Sequence, residues 1–392
     1  MNLEKQLGSE LRTIRRQGLL RQVVPARHEE GGRIRIGERS FLNLASNDYL
    51  GLACDPDLLR EFYGRLDPRE LPGDFGPGST ASRLMTGNHA LYRRLETGLA
   101  ELYGREHALV FNSGYHCNIG ILPALAGRED LILADKLCHA SLIDGMRLCR
   151  ARLIRYPHLD YERLEGLLRR QRGNFRRVFL VTESVFSMDG DRADLRELVR
   201  LKEAWQAILY VDEAHGVGTL GERGLGLAEE QGVVDRIDLL VGTFGKAWGG
   251  QGAFLLSSAT AGEFLINTAR SLIFTTGLPP VSLNWLLFLL PRIAAMQEQR
   301  RALGRLAGKL RRELGHHGLT TAGSTNIVPV MLGDAKQAVR VAERLRGQGF
   351  WVNAVRPPTV PAGTARLRLS LTTAMDWPRI APLPGLIARA MS

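Results

Sequence analysis

Polar residues with side chains suited to catalysis follow five short apolar segments between residues 107 and 246. Each segment is apolar at successive positions, as is typical of a parallel strand covered on both faces. Ligands of such sheets bind beyond the carboxyl ends of the strands, so these side chains are expected to meet in one site. In chain order the residues are Asn112, Ser113, Gly114 and Tyr115; Asp135 and His139; Glu183, Ser184 and Ser187; Asp212 and His215; and Thr243 and Lys246.

A lysine, an aspartate and a histidine at neighbouring strand ends are suited to pyridoxal phosphate. Lys246 lies on a glycine-flanked loop, where its amine can hold an aldehyde cofactor. Asp212 can pair with the pyridine nitrogen and keep it protonated, and His139 can lie over the ring. The phosphate needs backbone N–H and hydroxyl donors. Four residues can supply them: Ser113, Gly114, Tyr115 and Thr243. Each residue alone has a structural explanation, such as a helix cap, but together they favour a cofactor site.

Two glycine-rich segments resemble nucleotide-binding motifs without the context that those motifs need. Gly216 to Gly221 match GxGxxG, but polar residues separate them from the preceding strand and GERGLG follows where a helix is required. The segment that ends at Gly245–Lys246 resembles a P-loop. However, Leu240 occupies its first glycine position, and Ala247 replaces the Ser or Thr that would bind magnesium. Neither a nicotinamide dehydrogenase nor a P-loop enzyme is favoured.

The elements that position these residues are predicted to form an α/β fold. Helical patterns alternate with the apolar runs HALVFN, DLILAD, RVFLVTES, AILYVDEA, DLLVGTF and GAFLLSS, which predicts a doubly wound sheet. Residues 1–48 are predicted to form an N-terminal arm and residues 49–290 a large cofactor-binding domain. Residues 291–392 are predicted to form a smaller α+β domain, with strand candidates in NIVPVML, WVNAVR and ARLRLSL.

The composition of the 392 residues is typical of a globular protein, with 44% hydrophobic and 24% charged residues. The first residues carry no apolar segment typical of a secretory signal, and no apolar run is long enough to span a bilayer. A cytoplasmic protein that binds neither membrane nor nucleic acid is expected, because the arginines behind the net charge of +11 are scattered. No metal site is expected from the four cysteines, which are Cys54, Cys117, Cys138 and Cys149.

The stretch from Asn43 to Leu371 resembles the α-oxoamine synthases, pyridoxal-phosphate enzymes that condense amino acids with acyl thioesters. The matching segments include NLASNDYLGL, FNSGYHCN, DKLCHAS, TESVFSMDGD, VDEAHGVGTLGERGLG, TFGKAWGGQGA, FTTGLPP and RPPTVPAGTARLRLSL, in family order. The resemblance implies a fold-type I transferase. In that fold a mostly parallel seven-stranded sheet forms the large domain, the small C-terminal domain is α+β, and the chain forms a homodimer with shared active sites.

The resemblance also implies a role for each site residue. Lys246 carries the cofactor and is the base, Asp212 pairs with the pyridine nitrogen, and His139 stacks on the ring. The remaining cofactor residues are Ser113, Gly114, Tyr115, Glu183, Ser187, His215, Thr243 and Thr275, of which Thr275 reaches the phosphate of the neighbouring subunit. The implied substrate residues are Arg368 for the amino-acid carboxylate, Asn47, and Thr359 and Arg21 near the acyl chain.

Within the family, RPPTVPAGTARLRLSL resembles the members that join L-alanine to a pimeloyl thioester, carried by coenzyme A or acyl carrier protein. Sibling activities remain alternatives: 2-amino-3-ketobutyrate ligase, 5-aminolevulinate synthase and serine palmitoyltransferase. An aminotransferase is a more distant alternative. The sequence departs from the usual pattern at His116–Cys117 and Met375–Asp376.

Overall fold

The structure is a computed structural model that describes residues 2–17, 19–21 and 23–391. Its strands are β1 Arg27–Glu29, β2 Arg33–Ile36, β3 Arg39–Asn43, β4 His107–Phe111, β5 Leu131–Asp135, β6 Arg152–Tyr156, β7 Val178–Glu183, β8 Ile208–Asp212, β9 Leu239–Thr243, β10 Ala253–Ser257, β11 Ile327–Gly333, β12 Phe350–Trp351, β13 Asn353–Val355 and β14 Ala365–Ser370.

The α-helices are α1 Leu3–Arg16, α2 Pro56–Tyr63, α3 Leu71–Asp74, α4 Ala90–Tyr103, α5 Gly114–Leu125, α6 Ala140–Leu148, α7 Tyr161–Gln171, α8 Leu195–Ala204, α9 Leu227–Glu230, α10 Ala259–Thr268, α11 Arg270–Ile273, α12 Pro280–Ala295, α13 Gln297–His316, α14 Ala335–Gly347, α15 Trp377–Ile380 and α16 Leu383–Met391. Short 3₁₀ helices span Leu52–Cys54, Arg172–Asn174 and Val234–Arg236, and a π-helical turn spans Arg83–Gly87. Across the described ranges, no helix combines the length and apolar character that crossing a bilayer requires.

The central sheet has seven strands in the order β4-β10-β9-β8-β7-β5-β6. Strand β10 is antiparallel to both of its neighbours, and all the other pairs are parallel. All six predicted apolar runs form strands of this sheet, so the predicted mostly parallel seven-stranded α/β sheet is confirmed. The seventh strand, β6, was not among the predicted runs. It lies at the sheet edge and reads RLIRY, with exposed arginines that hide the apolar signal.

The strands are apolar throughout because helices cover both faces of the sheet. On β4, Leu109 and Phe111 pack in one buried cluster with residues of α5 and α6, whereas Ala108 and Val110 pack in the cluster on the opposite face. Alternate side chains of a strand point to opposite faces, so a strand between two helical layers has no polar side. This burial makes the central strands recognisable in the sequence.

Two smaller sheets lie beside the central one. One has the strand order β1-β2-β3-β12, and the other has the order β11-β14-β13. The WVNAVR candidate is therefore two strands, because Trp351 pairs with β3 whereas the segment from Asn353 pairs with β14. The pairing of β3 with β12 joins the predicted arm to the predicted small domain, and the division at residues 48 and 290 stays a prediction.

Candidate active site

Five strand ends meet at one edge of the central sheet. Because β10 is antiparallel to both β4 and β9, strand β4 runs in the same direction as β9, β8, β7 and β5. Their carboxyl ends therefore share an edge, as predicted. The GxGxxG segment lies just beyond β8, and residues 214 to 224 form turns and bends with no helix before α9.

Lys246 lies in the turn after β9, and its Nζ is 2.7 Å from Nε2 of His215. Burial lowers the pKa of Lys246 below its ordinary value, and the carboxylates of Asp212 and Glu183 partly oppose this shift. The amine is therefore close to both acids and easier to deprotonate than an exposed lysine. Thr243 accepts a hydrogen bond from Gly245 N–H and donates one to a backbone carbonyl, which orders the start of this turn.

Asp212 ends β8 and is buried. Its Oδ1 accepts a hydrogen bond from Ala214 N–H at 2.9 Å, and its Oδ2 accepts one from Asn118 Nδ2 at 2.8 Å. Asn118 was not predicted as a site residue. It lies one helical turn after Gly114 in α5, so a buried asparagine in the otherwise apolar segment CNIGIL was a usable signal.

His139 caps α6, and its backbone N–H donates to Glu183 Oε1 at 2.5 Å. The Nδ1 atom of its ring is 2.7 Å from Ser141 Oγ. Burial, with a smaller effect from Lys246, lowers the pKa of His139, so the ring is neutral near pH 7. Burial and the neighbouring Asp212 raise the pKa of Glu183 well above its ordinary value, which favours its protonated form.

The N-terminus of α5 lies beside the end of β9. Ser113 caps this helix of twelve residues, and a Cβ on Gly114 would lie 3.8 Å from the Cβ of Thr243. The free N–H groups of such a helix end are suited to an anion. The Tyr115 hydroxyl donates instead to Asp144 at 2.7 Å. Any contact of Tyr115 with a phosphate would therefore have to involve its backbone.

A second group of side chains surrounds Arg368 on β14. Its Nε donates to the Ser187 carbonyl at 2.6 Å, and both terminal nitrogens lie 3.2 Å from Asn47 Oδ1. Its Nη2 also donates to the Tyr49 hydroxyl at 3.1 Å, which lies 2.7 Å from Nδ1 of His215. Arg368 and Lys246 are thus connected through Tyr49 and His215. Tyr49 was not predicted, because nothing in NLASNDYLGL distinguishes it from a core aromatic residue.

Arg21 and Thr359 form a third group. The Arg21 Nη2 atom donates to Thr359 Oγ1 at 3.2 Å, although 338 positions separate the two residues. Both line a cavity of about 710 Å³ that Arg368 also lines. Its apolar walls include Leu20, Val24, Met188, Val339 and Val355. Most of the cavity lining comes from the arm and from the C-terminal part of the chain.

Three predicted residues have other roles or lie apart. Asp135 binds His158, and the Ser184 hydroxyl donates to Glu213, which accepts two N–H groups at the start of α9. Thr275 lies beside Asn112, whose amide is 3.4 Å from its hydroxyl. The role of Thr275 in a neighbouring subunit stays a prediction.

The departures at His116–Cys117 and Met375–Asp376 have local structural roles. The His116 ring is 2.8 Å from Ser113 Oγ, and Cys117 is fully buried. Met375 is buried and Asp376 caps α15. In the described part of the chain, no three His, Cys, Asp or Glu side chains are grouped to hold a metal ion.

A partly buried histidine, His158, fixes the loop of residues 186–191, which supports Arg368. His158 Nδ1 is 2.9 Å from Asp135 Oδ1, and Nε2 is 2.5 Å from Asp191 Oδ2. Ionised carboxylates only accept hydrogen bonds, so both ring nitrogens must be protonated. Burial alone would lower the pKa of His158, but the two carboxylates raise it to about 9.

We expect His158→Gln to remove a pH-dependent part of the stability. The folded protein raises this pKa, so the stabilisation is complete below about pH 6.5 and is lost as the pH rises to about 9. It amounts to roughly 3 kcal/mol. Unfolding midpoints measured between about pH 6 and pH 10 should differ between wild type and variant at low pH and converge at high pH. The exposed His316→Gln is the control; a constant difference across the range would contradict the assignment.

The donor set at these strand ends fits pyridoxal phosphate. Lys246 has an amine for the aldehyde, Asp212 has a buried carboxylate for the protonated pyridine nitrogen, and the N-terminus of α5 has N–H groups for the phosphate. His139 lies close enough to Asp212 and Lys246 for both to affect its pKa. The arrangement can therefore hold the cofactor and move a proton beside it.

Comparison with known proteins identifies the family. Residues 39–381 match the family model for aminotransferase class I and II. An 8-amino-7-oxononanoate synthase of Chlorobaculum parvum is 50% identical over 371 residues, which cover 95% of each chain. The solved structure of a serine palmitoyltransferase from Sphingomonas wittichii has a TM-score of 0.90 and 32% identity, covering 100% of this chain and 98% of that chain.

A crystal structure of 8-amino-7-oxononanoate synthase from Francisella tularensis has a TM-score of 0.74 and 28% identity, covering 89% of this chain and 97% of that chain. Both solved structures share the architecture described above. With the donor set for pyridoxal phosphate in place, the chain is a pyridoxal-phosphate-dependent acyltransferase and belongs to the α-oxoamine synthase family.

Proposed function

We propose that the protein condenses L-alanine with a pimeloyl thioester. The products are 8-amino-7-oxononanoate, carbon dioxide and the free thiol of the carrier, and the reaction is a step of biotin biosynthesis. The observation that carries this proposal is the cavity of about 710 Å³, which extends from Arg368 to the Arg21–Thr359 pair. Arginines and apolar side chains both line it, which suits two carboxylate-bearing substrates joined across an alkyl chain.

Arg368 is suited to hold the amino-acid carboxylate. A guanidinium can donate two parallel hydrogen bonds to a carboxylate, and Ser187, Asn47 and Tyr49 hold this one in a fixed orientation. The carboxylate of the bound amino acid would then place its α-carbon on the side of Lys246, to which Arg368 is connected through Tyr49 and His215.

Pyridoxal phosphate, when bound, supplies an electron sink for negative charge that develops at the amino-acid α-carbon. Asp212 keeps the pyridine nitrogen protonated. Lys246 accepts the α-proton, because its lowered pKa leaves more of the amine in its basic form. His139 would donate a hydrogen bond to the oxygen of the thioester carbonyl.

The part of the cavity beside Arg21 and Thr359 is suited to a terminal carboxylate of the acyl chain. The guanidinium of Arg21 and the hydroxyl of Thr359 lie 3.2 Å apart and are both exposed to the cavity. A pimeloyl group ends in such a carboxylate. The basic chain, with a net charge of +11, suits an anionic thioester carrier, for which coenzyme A and acyl carrier protein are the two candidates.

We also propose a homodimer in which Thr275 reaches the phosphate of the neighbouring subunit. Large apolar side chains are exposed in the single chain: Met85, Tyr115, Leu148 and Phe274 are 46% to 78% accessible. An exposed apolar surface of this kind is typical of a subunit interface. Sedimentation should report twice the mass of one chain, and the mass of a single chain at micromolar concentration would contradict the proposal.

A serine palmitoyltransferase-like activity is the second candidate. The higher TM-score of the Sphingomonas wittichii enzyme supports it, whereas the sequence identity of 50% to the Chlorobaculum parvum protein supports the first. The backbone of a fold is shared by enzymes of different specificity, so the cavity residues weigh more than the TM-score.

The deciding experiment measures the release of free thiol from acyl thioesters by the purified holoenzyme. L-Alanine should support release from pimeloyl-CoA or from pimeloyl-acyl carrier protein, with one equivalent of 8-amino-7-oxononanoate detected by mass spectrometry. The matched reactions contain L-serine with palmitoyl-CoA and glycine with acetyl-CoA or succinyl-CoA. Turnover in only one of these matched reactions would show that the protein has the corresponding sibling activity instead. Pyruvate formed from alanine without a thioester would indicate an aminotransferase.

A further inference from the structure

A chain of three buried polar side chains lies behind Asp212 and His139. The Tyr210 hydroxyl is 2.6 Å from Asn118 Oδ1, and Asn118 Nδ2 is 2.8 Å from Asp212 Oδ2. The same Nδ2 atom is 2.9 Å from Ser141 Oγ, which is 2.7 Å from His139 Nδ1. Asn118, Tyr210 and Ser141 are each at most 1% exposed, so water cannot replace these bonds.

The direction of each hydrogen bond that links these side chains follows from Asp212. An ionised carboxylate only accepts, so the amide atom that faces it must be the NH₂ group of Asn118. The two hydrogens of that group are then used by Asp212 and by Ser141. The remaining oxygen, Oδ1, faces Tyr210, which must donate its hydroxyl hydrogen to it.

The same reasoning reaches the histidine ring. Ser141 Oγ accepts from Asn118, so its single hydrogen is free to point at His139 Nδ1. The backbone N–H of Ser141 also donates to Nδ1, at 3.2 Å. Two donors directed at Nδ1 require a lone pair on that atom. A neutral His139 therefore carries its proton on Nε2.

We propose that Tyr210, Asn118 and Ser141 are positioning residues that set two groups at once: the carboxylate of Asp212 and the Nε2–H tautomer of His139. The inference rests on the proposed function, in which Asp212 faces the pyridine nitrogen and His139 donates to the thioester oxygen. Ser141 already engages Nδ1 of His139. The ring can therefore donate a hydrogen bond from its other nitrogen only in the Nε2–H tautomer. Asn118 is the branch point, since one side-chain amide serves both groups.

The other charged groups near His139 are compatible with this assignment. Burial and Lys246 lower its pKa, whereas Asp212 and Asp144 raise it, and the net direction is downward. The ring of His139 is therefore neutral at pH 7, so its tautomer decides which nitrogen can donate. Burial raises the pKa of Tyr210 well above its ordinary value, so its hydroxyl keeps the hydrogen that it must donate.

The first test is nitrogen NMR of the ¹⁵N-histidine-labelled holoenzyme, with the His139 signals assigned by their loss in His139→Gln. The expected spectrum has an unprotonated Nδ1 and a protonated Nε2 for this residue. In Ser141→Ala only the backbone N–H would remain directed at Nδ1, so the two tautomers should become mixed. A protonated Nδ1 in the wild-type enzyme would overturn the proposal.

The second test separates the two branches by cofactor affinity and kinetics. Asn118→Leu should weaken the affinity of the apoprotein for pyridoxal phosphate roughly ten- to hundredfold, because Asp212 loses a buried donor. Ser141→Ala should leave that affinity within about twofold of wild type while lowering kcat roughly tenfold or more, since it touches only the His139 branch. If both variants change affinity equally, the branched arrangement is wrong.

Tyr210→Phe keeps the test decisive even if Asn118→Leu does not fold. It removes only the hydroxyl that orients the amide, and it should weaken cofactor affinity by about threefold to tenfold. Tyr103→Phe is the matched control, because the Tyr103 hydroxyl is buried, has no hydrogen-bond partner among the described residues and lies outside the site. Equal affinities in Tyr210→Phe and wild type would contradict the proposal.

Asp212→Asn distinguishes failure of this inference from failure of the proposed function. If Asp212→Asn changes neither cofactor affinity nor the visible absorbance of the holoenzyme, the proposed role of Asp212 is wrong. If Asp212→Asn has a large effect and Asn118→Leu has none, only the positioning role is wrong.

Discussion

Lys246→Ala is expected to abolish covalent attachment of pyridoxal phosphate and to lower turnover by at least about a thousandfold. The lysine has two proposed tasks: its amine holds the aldehyde of the cofactor, and once released it accepts the α-proton of the amino acid. Its place in the site supports both, since Nζ is 2.7 Å from His215 and burial lowers its pKa. The methyl side chain of the variant can perform neither task.

Two measurements separate these tasks. Reduction of the wild-type holoenzyme with borohydride should fix the cofactor to the peptide that contains Lys246, whereas the variant should release all of its cofactor on denaturation. Added methylamine should restore part of the turnover of the variant by replacing the missing base. Lys309→Ala is the matched control, because its ammonium lies over the Trp377 ring, away from the candidate site. Full turnover in Lys246→Ala would overturn the assignment of the whole site.

Arg368→Lys is expected to lower kcat/KM for the amino acid by about thirtyfold to several thousandfold, from the 2–5 kcal/mol that a truncated, buried charge pair typically costs. A lysine keeps the charge, but it cannot donate two parallel hydrogen bonds to a carboxylate. It also cannot reproduce the contacts that orient Arg368 toward the Ser187 carbonyl and Asn47.

The effect should be confined to the amino acid. The variant should bind pyridoxal phosphate with wild-type affinity, and saturation with the thioester should need the same concentration as in wild type. Arg301→Lys, an exposed arginine that pairs with Glu298 on α13, is the control for the substitution. A raised KM for the thioester with an unchanged KM for the amino acid would show that Arg368 serves the acyl substrate instead.

Much of the large domain was readable from the sequence because its physical causes are local. Strands such as β5 and β7 are buried at every position, so their apolar runs are uninterrupted. Polar residues then stand out where each strand ends, which placed Asp212 and Lys246 at one sheet edge. The resemblance to the family was specific because many motifs occur in the family's order. The physical causes of local folding do not determine that order.

Elements without such a local cause were missed or misread. Strand β6 is at the edge of the sheet, where one side of each residue meets solvent and the apolar pattern weakens. WVNAVR was read as one strand because it contains no Gly or Pro that would mark a break. Its division between β12 and β13 depends on which strands lie beside it, and the partners are hundreds of residues away or across a turn.

The chemistry of the site divides in the same way. The residue types that a pyridoxal-phosphate site needs, above all Lys246 and Asp212, could be identified from the sequence because their chemistry belongs to their own side chains. Tyr49 could not, since an aromatic side chain acquires such a role only from its neighbours. The pairing of Arg21 with Thr359 likewise depends on the arm meeting the C-terminal part of the chain, a contact between distant segments that only the folded structure brings together.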